Sequence, residues 1–148
     1  MKLSYTVILL LSLASAAFAR EQSVRTPAAK QSILARVTSY WAGEGSKFAS
    51  TGRRLRPGHC AVDPKRIPYG SQVVFPDGAC TAVDTGSAVV SRKAARACAR
   101  TASQLKAIVV DRYFETKREA TAWTNSHAEF MMLEVIPPGS HAGRATHN

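Results

Sequence analysis

The chain has 148 residues, 45% of them apolar and 20% charged, which suits one globular domain with short tails and excludes a multi-domain machine. Twenty Lys and Arg stand against ten Asp and Glu, a formal net charge of +10. That balance predicts an acidic partner, whether nucleic acid, anionic lipid or a wall polymer, without choosing among them.

Residues 1–19 narrow the choice. Lys2 supplies a positive start, Val7 to Leu13 an apolar core broken only by Ser12, and Ala17-Phe18-Ala19 a small-x-small cleavage site before Arg20. The apolar run is shorter than the roughly 20 residues of a membrane span. A cleaved secretory signal is therefore expected, with a secreted or periplasmic product, no lipid anchor and no membrane span after cleavage. Cleavage removes Lys2 and no acid, so the basic excess survives it. Export makes nucleic acid an implausible partner, and peptidoglycan or another anionic wall polysaccharide takes its place.

Residues 20–32 mix Arg, Gln, Ser, Thr, Pro and Ala without periodicity and read as a flexible leader to a domain spanning 33–137. Strands are predicted at Ile33 to Tyr40, Cys60 to Asp63, Gln72 to Phe75, Ala79 to Asp84, Ala107 to Asp111 and Phe130 to Ile136. Between the third and fourth, Pro76-Asp77-Gly78 is a tight-turn signal, because Pro presets φ and Gly accepts φ > 0. In the last strand Met131, Leu133 and Val135 alternate with Phe130, Met132, Glu134 and Ile136. A Gly-rich loop containing Phe48 follows the first strand, and residues 138–148 read as a disordered tail.

Two helices are expected. Ser91 to Lys106 sets Ala94, Cys98, Ala102 and Leu105 along one stripe and Arg92, Arg96 and Arg100 on another face, with no acid at all. Thr116 to Thr124 turns Ala120 and Trp123 inward. Six short strands with Gly and Pro punctuation and one or two short helices make a mainly β fold, a small barrel.

Cys60, Cys80 and Cys98 would meet an oxidising compartment, where one disulfide and one leftover thiol is the simplest accounting, with all three pairings open. Their spacing resembles no zinc site, and neither a metal nor another cofactor is expected.

Three aspartates end apolar runs: Asp63, Asp84 and Asp111. Each alone reads as a turn former, but strand ends converge in small barrels, where clustered carboxylates are costly unless protonated, paired or used. Thr38-Ser-Tyr40, Ala49-Ser-Thr-Gly52, Ala61-Val-Asp-Pro64, Ile67-Pro-Tyr-Gly70, Ala82-Val-Asp-Thr-Gly86, Val110-Asp-Arg-Tyr-Phe114, Glu119-Ala120 and Leu133-Glu-Val135 follow in that order. This ordered set resembles the 3D domain family, named for three aspartates, which includes the catalytic domain of membrane-bound lytic transglycosylase A and small secreted muralytic proteins. The resemblance implies a six-stranded double-psi β-barrel and a monomeric enzyme that cuts the β-1,4 bond after N-acetylmuramic acid in peptidoglycan.

It further implies that Asp111 is the catalytic acid, that Asp84 tunes or positions it, and that Asp63 orients the site. In such a reaction the C6 hydroxyl of N-acetylmuramic acid attacks its own C1, so no second carboxylate is needed as nucleophile or base. Tyr40, Trp41 and Tyr113 offer flat faces to sugar rings, Lys65, Arg66 and Arg112 meet stem carboxylates, and Thr51, Thr85 and Gly86 of the matching motifs join the binding candidates. Two departures stand out: Ser87 replaces a family glycine, and the basic segment from Ser91 to Lys106 lengthens the path from Asp84 to Asp111.

Two other readings remain in view. Ala82-Val-Asp-Thr-Gly-Ser87 also resembles an aspartic-protease signature, but one copy demands a homodimer and the downstream apolar-apolar-Gly segment is missing. A non-catalytic wall-binding barrel of expansin or barwin type is the stronger rival.

Overall fold

All six apolar runs become strands, and the strands close on themselves. The structure is a computed structural model that describes residues 29–139, so the expected signal segment 1–19 and nearly all of the expected tail lie outside the described residues. The strands are β1 (Gln31–Trp41), β2 (His59–Ala61), β3 (Gln72–Phe75), β4 (Gly78–Asp84), β5 (Ile108–Phe114) and β6 (Phe130–Ile136). Their order round the closed barrel is β1-β5-β2-β4-β3-β6. The β1·β5 and β2·β4 pairs are parallel and the other four antiparallel. This is the mainly β, six-stranded barrel that the strand pattern predicted.

Strand alternation decides what the barrel encloses. Ala35, Val37, Cys60, Val73, Phe75, Cys80, Ala82, Ile108, Val110, Leu133 and Val135 form one buried cluster, drawn from every strand. In β6 the period of two is sharp: Leu133 is fully buried while Met132, one residue earlier, is 60% exposed. Most boundaries shift by a residue or two, and three shifts matter. β1 takes Gln31 and Ser32 from the expected leader, β2 stops at Ala61, and β5 runs past Asp111 to Phe114.

Four short helices stand where one or two were expected: α1 (Ser87–Val90), α2 (Lys93–Cys98), α3 (Ala102–Lys106) and α4 (Lys117–Ser126). The continuous helix predicted from Ser91 to Lys106 is broken twice. Arg92 adopts a left-handed φ of 54°, and Ala99 turns extended before Thr101 caps α3 by accepting from the Gln104 N–H. Its intended apolar stripe dissolves accordingly: Ala95 is the fully buried residue, and Leu105 is 50% exposed. Lys93, Arg96, Arg100 and Lys106 are exposed. The other helix follows expectation. Thr116 and Glu119 form a capping box, and Ala120 and Trp123 are the buried residues. Trp123 packs edge-on to Phe75 at 5.8 Å and joins the barrel core.

The expected disulfide is corrected: Cys60, Cys80 and Cys98 are free thiols. Cys60 pairs with Ala82, not Cys80. A diagonal neighbour across one strand spacing and two residues of rise lies about 8 Å away, beyond the roughly 7 Å reach of a bridge. Burial pushes both core thiols up, so both stay protonated and act as small apolar residues. Cys98 closes α2, a separate element from the core pair.

The alternation makes a paired prediction. Leu133→Ala should lower unfolding free energy by about 2–5 kcal/mol, and Met132→Ser should change it by less than about 0.5 kcal/mol, as measured by denaturant melts.

Candidate functional site

Four strands lay their polar residues across one outer patch of the barrel. Thr38 on β1 pairs with Asp111 on β5, Asp111 pairs with Ala61 on β2, and Ala61 pairs with Asp84 on β4. The row reads Asp84, Ala61, Asp111, Thr38. It places the two aspartate Cα atoms about 10 Å apart, two strand spacings, with only a methyl group between them. Asp84 reaches this row through an irregularity. The β2·β4 register runs from Cys60↔Ala82 to Ala61↔Asp84, skipping Val83. Without that bulge, alternation from inward Ala82 would point Asp84 into the barrel.

Above the row lies a cleft of about 300 Å³, lined by both aspartates, Ala61, Tyr40, Trp41, Glu44, Phe48, Leu55 and the Thr85–Val89 turn, among others. Phe48 is 58% exposed at the rim, and Trp41 is half-buried with the Lys117 ammonium 5.5 Å from its ring centroid. One wall is the start of α1, whose Val89 packs with Ala61, Ala107 and Val109. The basic segment from Ser91 to Lys106 begins just past this wall, and none of its residues lines the cleft.

Asp84 is tied down on both oxygens. Its Oδ1 accepts from the backbone N–H of Ser50 at 2.7 Å and of Thr85 at 2.8 Å, and its Oδ2 accepts from the Tyr40 hydroxyl at 3.2 Å. Burial, then Asp84 itself, push the Tyr40 hydroxyl up, so it remains the donor. The Ser50 bond, together with Thr51 Oγ1 donating to the Val83 carbonyl at 2.7 Å, pins the Lys47–Leu55 hairpin against β4. Phe48 stands on that hairpin, so Asp84 holds a cleft wall in place.

Asp111 is the freer carboxylate, with one side-chain donor, Thr38 Oγ1, at 2.8 Å. Burial raises its pKa to about 6; the Thr38 bond opposes the rise, and the nearby charges of Glu44 and Asp84 add to it. A carboxyl at that value is roughly a hundredfold more protonated at neutral pH than an ordinary Asp near 3.9. Burial in the row is the larger cause, and among the nearby charges Glu44, missing from the sequence candidates, precedes Asp84.

The remaining candidates divide. Tyr40, Trp41, Thr85 and Gly86 line the cleft, and the Thr85 hydroxyl is buried without a partner. Asp63 does not join the two aspartates there: its Oδ1 accepts from the Lys65 N–H at 3.0 Å and its carbonyl from Arg66 and Ile67, an Asx-type turn. Thr51 lines a separate shallow pocket with Tyr69, and Arg66 another beside Lys106. Lys65 is exposed. Arg112, one residue from Asp111, faces the opposite way. Its guanidinium pairs with Asp77 at 2.7 Å and lies over Phe75, Phe114 and Trp123. Tyr113 returns to the outer face but is buried beneath Tyr40, their ring centroids 5.3 Å apart. Arg112 and Tyr113 therefore hold the barrel together beside the cleft rather than line it.

Among the described residues, no group of three His, Cys, Asp or Glu is placed to hold a metal ion, and no helix is long and apolar enough to cross a membrane. Compared with models of known families and with curated proteins, the chain matches none. The site geometry itself therefore carries the functional argument.

The carboxyl environment is directly testable. Carboxyl-carbon NMR should show Asp111 titrating at about 6, higher in Thr38→Val, which loses the lowering bond, and lower in Glu44→Gln, which loses a repelling charge. A raised pKa means that ionising Asp111 opposes folding: its contribution is full below about pH 4 and lost as pH rises through its folded value. Asp111→Asn should remove that pH dependence from denaturant melts.

Proposed function

We propose that the chain is an exported glycan-cleaving enzyme of lytic transglycosylase type, acting on the β-1,4 bond between N-acetylmuramic acid and N-acetylglucosamine in peptidoglycan. One observation carries the reading: a carboxylic acid held protonatable near neutrality, beside a second carboxylate, on the floor of a cleft with aromatic walls. The closed six-stranded barrel is also the architecture that the 3D-domain resemblance calls for.

Asp111, protonated, gives its proton to the glycosidic oxygen as the C1–O bond breaks, and the N-acetylglucosamine side leaves as an alcohol. The C6 hydroxyl of the same N-acetylmuramic acid bonds to C1 and returns its proton to the Asp111 carboxylate. Acid and base are one group, water is not consumed, and the product is a 1,6-anhydro sugar. An ordinary glycosidase needs a second carboxylate to attack C1 or activate water. Asp84 is poorly suited to that task, since three protein donors already occupy it. Its engagement favours the one-acid mechanism, in which Asp84 positions Tyr40 and the Phe48 hairpin and raises the acidity threshold of Asp111. Trp41 and Phe48 supply faces for sugar rings.

Digestion of purified sacculi followed by mass spectrometry tests the reading. The expected products are anhydro-muropeptides, reduced by about 10²–10⁴-fold in Asp111→Asn, with the wild-type rate falling as pH rises above the Asp111 pKa of about 6. Reducing-end products would mean hydrolysis and would overturn the transglycosylase step. Pelleting with sacculi without any product would make the barrel a wall-binding module instead.

A further inference from the structure

A second cleft of about 640 Å³ adjoins the first, lined by Arg53, Arg54, Leu55, Arg56 and His59. Leu55, itself buried, borders both clefts, so the two are neighbours across one side chain. The three arginines are exposed, and among the described residues none of them is in an ion pair. Like charges so close in chain repel.

The backbone nonetheless holds them together. Gly52 and Gly58 bracket the segment at φ of 80° and 86°, a left-handed conformation that other residues resist. An antiparallel bridge pairs Phe48 with Arg54, and the Leu55 N–H donates to the Lys47 carbonyl. His59 fixes the third member. It is 5% exposed, and its Nε2 accepts from Arg56 Nε at 3.3 Å, which leaves the ring proton on Nδ1, buried and without an acceptor. Burial, then Arg56 and Arg53, lower its pKa, so the imidazole adds no charge. With Nε engaged, the two terminal nitrogens of the exposed Arg56 have no hydrogen-bond partner among the described residues. Forked guanidinium groups match the paired oxygens of carboxylate and phosphate.

We infer that this cleft is an oxyanion subsite, taking a carboxylate or phosphate substituent of the polymer whose sugar occupies the Asp84–Asp111 cleft. The identity of that polymer rests on the function proposed above; the anion preference rests on the arginines alone. The subsite reads a substituent while the first cleft reads the backbone sugar, and Leu55 keeps the two apart.

Isothermal titration of the mature wild-type protein, Arg54→Gln and Arg56→Gln tests it with three probes: soluble peptidoglycan fragments with free stem carboxyls, the same fragments with those carboxyls amidated, and inorganic phosphate. A carboxylate subsite predicts that each substitution weakens binding of free-acid fragments about tenfold, that amidation does the same to the wild type, and that the variants bind amidated fragments equally. A phosphate subsite predicts wild-type binding of phosphate that both substitutions weaken, with fragment binding indifferent to amidation. A wild type that binds none of the probes, or variants within about twofold of it on all three, overturns the inference. Both arginines are exposed, and denaturant melts of each variant should match the wild type. Cleavage of the free-acid fragments by the wild type, read in parallel, separates the two claims: its absence counts against the proposed function and leaves an arginine-dependent titration standing.

Discussion

The β2·β4 ladder skips one residue, and the site depends on it. Register passes from Cys60↔Ala82 to Ala61↔Asp84, which turns Asp84 outward beside Ala61. Asp111 reaches the same Ala61 from the other side through the antiparallel β2·β5 pair. A barrel with regular pairing would have put one carboxylate inside and one outside. The bulge keeps Ala82 in the core while placing two acids on one face, and the small side chain of Ala61 leaves room between them.

The same alternation divides labour along β5. Val110 and Arg112 turn inward and Asp111 and Tyr113 outward, so adjacent residues serve the core and the cleft. Arg112, stacked on three aromatic rings and paired with Asp77, closes one end of the barrel, and Trp123 from α4 donates to the same Asp77 at 3.0 Å. The charge that composition assigned to a partner is therefore unevenly available. Arg112 is spent on the fold, α2 and α3 carry a solvated face, and Arg53, Arg54 and Arg56, on and just past the hairpin that forms the cleft wall, are in no ion pair among the described residues.

Much of the fold was legible because strands of period two announce themselves: all six positions were readable, as were the helix beginning near Thr116 and the inward Trp123. The broken basic helix was less so. Its stripe of Ala94, Cys98, Ala102 and Leu105 has helical spacing, but small alanines bury too little apolar surface to enforce one helix, and Thr101 with Gln104 offered a competing start. Of the three aspartates that end apolar runs, Asp84 and Asp111 come to one cleft. Asp63 looked equivalent in sequence, yet it turns its carboxylate onto its own loop. Glu44 was missing from the sequence candidates, and Thr38 and Ala61 entered only as members of the ordered motifs, for a physical reason: each matters through a partner brought close by register or by the loop fold, and a bulge leaves no mark in composition. Beyond its motif, the signal for Thr38 was its outward phase on β1, opposite inward Val37.

The central claim is that the outer row of Asp84, Ala61, Asp111 and Thr38 is where substrate sits. Residue-resolved NMR of Asp111→Asn, titrated with a soluble N-acetylglucosamine–N-acetylmuramic acid tetrasaccharide, tests it most directly, because binding is read without turnover. The account predicts saturable shifts at Ala61, Asn at position 111, Thr85 and the Trp41 indole, with Asp77 and Trp123 at the far end unmoved. Shifts confined to Asp77, Trp123 and their neighbours, or none at the row, would contradict it.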